Sequence, residues 1–163
     1  MNLRLLAAKY ALEMLPSDDL PGIATELLVE GVESQSLACL AGSARCDSPA
    51  ERRELFETSL KECAVAVPRR LEAAHELKIH FAGQVAQQKL DPAQGAAKIV
   101  NLYYAVYELL PPSEKYAGES FGIANLLGLY YSLDDIANDD PRYGDIEGDI
   151  VRECRRIAEP GTA

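Results

Sequence analysis

The sequence predicts an all-α fold: a single-domain bundle of about seven helices around a central antiparallel helix hairpin over residues 69–110. Three observations carry this. Apolar residues recur at steps of three and four along most of the chain, which is the period of one helix face. Prolines and glycines cut that pattern into helix-length pieces. Tryptophan is absent and β-branched runs are scarce, so helix is favoured over strand. The 163 residues fit one domain by size, and a chain this long buries about two-thirds of its unfolded surface without a metal or a disulfide.

The central pair is the clearest element. Over Arg69–Leu90, Leu71, Ala74, Leu77, Phe81 and Val85 form one stripe, with Ile79, Ala82 and Ala86 as a second. A helix apolar on more than one side belongs inside a bundle. Asp91-Pro92 ends that run, because the residue before proline leaves the α region, and starts the next with a cap and a proline at the first helical position. Ala96, Ile99, Val100, Tyr103, Val106, Tyr107 and Leu110 then give an amphipathic helix, closed by Pro111-Pro112.

The other elements follow in order. Asn2–Leu15 is the first helix, with Leu3, Leu6, Tyr10 and Met14 on one stripe and Pro16 as its stop. Leu20–Glu30 follows, with Pro21 in its first turn and Gly31 as its C-terminal cap. Ser34–Ala41 ends at Gly42, and Ser43–Asp47 is a loop. Ser48-Pro49-Ala50-Glu51 is a capping box that opens a helix through Leu55, Phe56, Leu60 and Cys63 to Val65. Ser113–Gly118 is a turn. Phe121–Ala137 is a long helix burying Phe121, Ala124, Leu127, Tyr131 and Leu133 or Ile136, although Gly122 and Gly128 each weaken it by about 1 kcal/mol relative to alanine. Asp140-Pro141 repeats the cap-proline start, but Gly144 and Gly148 put the secure part of the last helix at Ile150, Val151, Cys154 and Ile157. Pro160-Gly161 ends the order.

The net charge of −10 is unevenly placed. Glu13 to Ala44 holds six acids and no lysine or arginine, and residues 134–149 hold seven acids and one arginine. Arg45 to Lys115 balances ten acids with ten bases. Two acidic blocks therefore make the imbalance. They repel nucleic acid and anionic membranes and steer a basic protein inward. The pairs Arg52-Arg53, Arg69-Arg70 and Arg155-Arg156 each have glutamates nearby, which also argues against nucleic-acid binding. Arg4, Lys9 and Glu13 interrupt the apolar pattern of residues 1–15 and no cleavage site follows, so neither a secretory leader nor a membrane span is expected. A cytoplasmic protein with reduced thiols is the expectation.

Reactive constellations are incomplete. His75 and His80 are five residues apart, off the three- or four-residue spacing that shares a helix face. Glu72 and His75 give one E-x-x-H, half of a di-iron set, with no second copy. Cys39, Cys46, Cys63 and Cys154 form no C-x-x-C, so a zinc ribbon is not expected. A calcium loop fails at Ala137 counted from Asp135 and at Pro141 counted from Asp139. No phosphate loop or nucleophile elbow is present. The expectation is a protein that is not an enzyme and carries no cofactor and no metal.

Two features are candidate binding elements instead. The acids Asp134, Asp135, Asp139, Asp140, Asp145, Glu147 and Asp149 form a candidate docking face for a basic partner. In the pairs Tyr103-Tyr104 and Tyr130-Tyr131, neighbours point about 100° apart, so one of each faces outward. Tyr104 and Tyr130 are out of phase with the core stripe, as anchors for a partner.

Gly31-Val32-Glu33-Ser34 with Leu37–Gly42, and Leu90-Asp91-Pro92 with Gly95–Ile99, resemble a pattern in small helical bacterial proteins. Some acidic members of that group are similar to immunity partners of secreted toxins. The resemblance implies a bacterial cytosolic protein that works by binding, and it transfers no catalytic residue. The favoured function is a protein-binding module, in its sharp form an immunity protein neutralising a toxin domain. The alternative is a structural or regulatory homo-oligomer, a homodimer through the tyrosine-bearing helices. An enzyme built on Glu72, His75 and a further acid ranks third. Reversal of Asp139 and Asp140 to lysine is expected to leave folding nearly intact and weaken partner binding.

Overall fold

A computed structural model describes residues 2–43, 48–112, 115–137 and 139–159. Among the described residues it is all-helical, with no strand. The helices are α1 Leu3–Ala11, α2 Leu20–Val29, α3 Gln35–Ala41, α4 Pro49–Glu62, α5 Arg70–Ala86, α6 Pro92–Val106, α7 Ala124–Asp134 and α8 Tyr143–Ala158. Two short 3₁₀ turns, Tyr107–Leu109 and Glu119–Phe121, lie between α6 and α7. The all-α class and a helix count close to seven are as the sequence predicts. The chain divides into two compact units, Met1–Ala73 and Ala74–Ala163, with the division inside α5. Most of the Ser43–Asp47 loop, with Cys46, lies outside the described residues, as do the start of the Ser113–Gly118 turn and the Pro160-Gly161 stop.

The first unit packs α1 to α4 around Leu6, Ala7, Leu20, Ala24, Leu27, Leu37, Leu40, Phe56 and Leu60. Caps and side chains tie the helices at their ends. The Ser48–Glu51 capping box forms as read, with both reciprocal bonds in place. Ser34 caps α3, and the Glu62 carboxylate at the end of α4 accepts from the hydroxyls of Ser34 and Ser36, each at 2.6 Å. The hydroxyls of Ser34 and Ser36, then the Ser36 and Gln35 amides, hold that carboxylate below its ordinary pKa. Tyr10 packs its ring on Phe56 and donates its hydroxyl to Glu57 at 2.7 Å.

Four helices stop in one way, which the sequence signals only at Gly31. In each, a residue at positive φ follows the last turn: Glu13 (58°), Gly31 (87°), Ala64 (56°) and Gln88 (58°). The next amide reaches back five residues, as in Met14 to Lys9, Val32 to Leu27, Val65 to Leu60 and Lys89 to Gln84. This is the Schellman stop, and it satisfies carbonyls that a helix end leaves orphaned. Glycine usually occupies that position; here it does so once. α1 accordingly ends at Ala11 rather than Leu15, and Met14 is exposed rather than on the core stripe.

In the second unit, Gly95 of α6 packs against Val85 of α5, and α6 buries Ala96, Ile99, Val100, Leu102, Tyr103 and Val106. Tyr107, expected on the same face, begins a 3₁₀ turn and is exposed, because the tighter turn rotates it out of phase. Two further expectations are corrected. The helix expected to start at Phe121 starts at Ala124, because Gly118 and Gly122 take φ of 80° and 73° and fold residues 118–123 into a knot. The last helix starts at Tyr143 and runs through both Gly144 and Gly148, seven residues before Ile150. Its Ile150, Cys154 and Ile157 are buried, and that amphipathic face outweighs the two glycine penalties.

Candidate partner-binding surface

α7 and α8 are neighbours joined by the short segment 135–142, which makes them antiparallel. The segment and the adjoining helix ends carry the acidic block. Asp134, Asp135, Asp139 and Asp145 are exposed, while Asp140, Glu147 and Asp149 are half-buried. None of those four exposed acids forms an ion pair among the described residues.

Two of the seven have local partners. Asp140 accepts from the Arg142 backbone N–H at 2.8 Å and from its guanidinium at 3.0 and 2.7 Å. Those donors pull its carboxyl down to about 2. Asp149 is paired with Arg152 one turn along α8. Reversing Asp139 and Asp140 together therefore mixes an exposed docking charge with a cap of the α8 approach, so Asp140 is a poor test of binding.

The tyrosines are placed differently from expectation. Tyr131, read as core, is 45 % exposed, whereas Tyr130, read as the outward member, is half-buried. Tyr104 is exposed as expected, at 52 %. The Tyr104 and Tyr131 hydroxyls lie 2.6 Å apart and bridge α6 to α7. That bond, then burial, pushes the Tyr104 phenol up to about 12.

The fold thus favours the neutral phenol: this contribution is whole below pH 10 and fades as pH rises through about 12. Two phenols, Tyr10 and Tyr104, are expected to titrate near 12 in the folded protein. In Tyr131→Phe only Tyr10 should remain there, read by phenolate absorbance with the helical signal unchanged. An alkaline titration curve identical to wild type would mean that the phenol pair does not form.

Behind these tyrosines lies a polar–aromatic seam. The Lys78 ammonium donates to the Phe121 carbonyl at 2.6 Å and sits 4.6 Å from the centre of that ring. His75 stacks on Phe121 at 4.8 Å. Burial, then Lys78, lowers the His75 pKa; burial, then Arg156, lowers that of Lys78. Tyr103 accepts from the Gly118 N–H at 3.3 Å. The Lys78 ammonium and the Gly118 amide are both spent on bonds that hold residues 118–121, so the seam reads as structural. Among the described residues no group of three metal-ligating side chains converges, and His75 lies against Phe121 rather than a carboxylate. Cys154 is buried, and burial then Glu153 pushes its thiol up to about 12; Cys39 is exposed and Cys63 half-buried.

Sequence reasoning missed a groove between α7 and α8. It is lined by Ala124, Asn125, Gly128 and Ser132 on one side and by Asp149, Arg152, Glu153 and Arg156 on the other, with a volume of about 710 Å³. The signal was present in the spacing: residues 145, 149, 152 and 156 fall on one stripe of a helix.

No family model, no curated protein and no solved structure matches the chain. Among the described residues no helix is long and apolar enough to cross a membrane.

Proposed function

We propose that this chain is a non-enzymatic binding protein whose acidic end of α7 and α8 receives a basic protein partner. Its sharper form is a bacterial, cytoplasmic immunity protein that covers the positively charged site of a cognate toxin domain. The observation that carries the reading is the exposure of Asp134, Asp135 and Asp139 together without an ion pair among the described residues. Like charges held this close cost stability, and an opposite surface relieves that cost while steering association. Toxins that act on nucleic acid or nucleotides need positive sites, which such an acidic surface complements.

The test is capture of partners by the tagged protein from its native lysate at low and high salt, followed by mass spectrometry. One basic protein, held at low salt and released at high salt, is expected. The triple reversal of Asp134, Asp135 and Asp139 to lysine should slow its association by roughly tenfold or more at low salt, with the helical signal kept. Unchanged binding by that variant would remove this surface from the reading.

A further inference from the structure

The α8 stripe, which rims the groove with Asp149, Arg152 and Arg156 and continues to Asp145, has a charge order that the partner-binding reading does not use. Asp145, Asp149, Arg152 and Arg156 lie at steps of four, three and four, so they share one face over about 16 Å of helix. One half is acidic and the other basic. Across the groove α7 offers Ala124, Gly128 and Ser132, at steps of four, as a floor of small side chains. Gly128 has open space where a side chain would stand. The arginine side chains are exposed, at 73 % for Arg152 and 59 % for Arg156, while the Glu153 between them is held inward by Arg156 at 2.6 Å.

A uniformly basic partner is repelled by the arginine half, and an anionic one by the aspartate half. A surface ordered in the opposite sense matches both halves at once. This chain carries that surface itself: two copies of the stripe, laid antiparallel and crossing between Asp149 and Arg152, set Asp145 and Asp149 of each copy against Arg156 and Arg152 of the other. A two-fold interface has this self-complementary form, residue i meeting j and j meeting i.

We infer that the α7–α8 groove is the docking surface for a second copy of this chain, in an antiparallel two-fold dimer registered by the Asp145–Asp149–Arg152–Arg156 stripe. The in-helix Asp149–Arg152 pair does not oppose this, since an exposed pair is worth little and exchanges readily. The self-association surface is thus α8 with the small-residue face of α7, not the tyrosine-bearing faces of α6 and α7. Asp134 and Asp139 lie off the stripe, so this inference does not rest on the basic-partner reading.

Light scattering on the full chain at low salt is expected to give twice 17.8 kDa, falling to the single-chain mass at high salt. Two variants make the stripe one sign: Arg152→Glu with Arg156→Glu, and Asp145→Arg with Asp149→Arg. Each alone should be monomeric where wild type is dimeric, and an equal mixture of the two should regain the doubled mass. Gly128→Leu fills the groove without touching a charge and should also be monomeric; it decides the matter if a reversed variant loses helical signal. A wild-type chain that stays at 17.8 kDa at low salt overturns the proposal. So does a dimer that persists in the reversed variants, a mixture that fails to associate, or growth beyond two copies.

Discussion

Replacing Phe121 by alanine is expected to lower the unfolding free energy by about 3–5 kcal/mol, the range for emptying a buried aromatic site. Phe121 is 1 % exposed. Its ring meets His75 at 4.8 Å, the Lys78 ammonium at 4.6 Å and Tyr103 at 6.1 Å. It anchors a segment whose backbone is bent by two positive-φ glycines and held by two tertiary hydrogen bonds, Lys78 to the Phe121 carbonyl and the Gly118 N–H to Tyr103. Ile123 beside it is fully buried and its amide bonds the Gly118 carbonyl at 2.9 Å, so the segment cannot collapse into the vacated volume at low cost. Phe121→Leu keeps much of the apolar volume and should lose less. Urea denaturation measures both. The His75 titration gives an independent reading: with the ring gone His75 is better hydrated, and its pKa should move up toward the ordinary 6.5. A loss under about 1 kcal/mol in Phe121→Ala would mean that the ring is not the anchor described.

Legibility in the sequence followed the range of the interaction. Ser48-Pro49-Ala50-Glu51 and Asp91-Pro92 were read correctly because a cap is settled within four residues: the side chain that accepts and the amide that donates lie in the same short string. The stops at Glu13, Ala64 and Gln88 were not legible, because glycine is the usual signal for a left-handed residue and none of these is glycine. Their conformation is held by the chain on either side, at a cost that packing must offset. The knot at Gly118–Ile123 failed for a related reason. Phe121 fits a helical stripe by spacing alone, and only the contacts with Tyr103 and Lys78, 18 and 43 positions away, place it in a turn instead. Tyr131 likewise fits the core stripe by spacing, yet its hydroxyl meets that of Tyr104, 27 positions away, at the surface.

For the candidate surface, the acids were visible as a run, but a run has no geometry. Asp140 and Asp149 differ from Asp134 and Asp139 only through Arg142 and Arg152, and those arginines are two and three residues distant. The bipolar stripe needed the helix to be extended back to Tyr143, across Gly144 and Gly148. Local propensity argued against that extension; the burial of Ile150, Cys154 and Ile157 on one face supplies what propensity withholds.

Gly95→Ala is expected to destabilise the protein by about 1–2 kcal/mol, against the direction that helix propensity alone predicts. Gly95 is buried at the fourth position of α6, where alanine would ordinarily gain about 1 kcal/mol over glycine. A Cβ there would stand 2.1 Å from Val85 Cγ2 and 3.4 Å from Leu90 Cδ2. Valine is β-branched and stiff at χ1, so that methyl cannot swing aside. The helices must separate instead, which costs contacts along the Val85–Gly95 approach and outweighs the propensity gain. The two effects separate in a double-mutant cycle. In a Val85→Ala background the obstructing methyl is absent, so Gly95→Ala should change sign and stabilise by up to about 1 kcal/mol. If the substitution has the same effect in both backgrounds, Val85 is not what requires a glycine at 95. A sign change would place that requirement in the closeness of α5 and α6 at Val85 and Gly95, which neither helix specifies by itself.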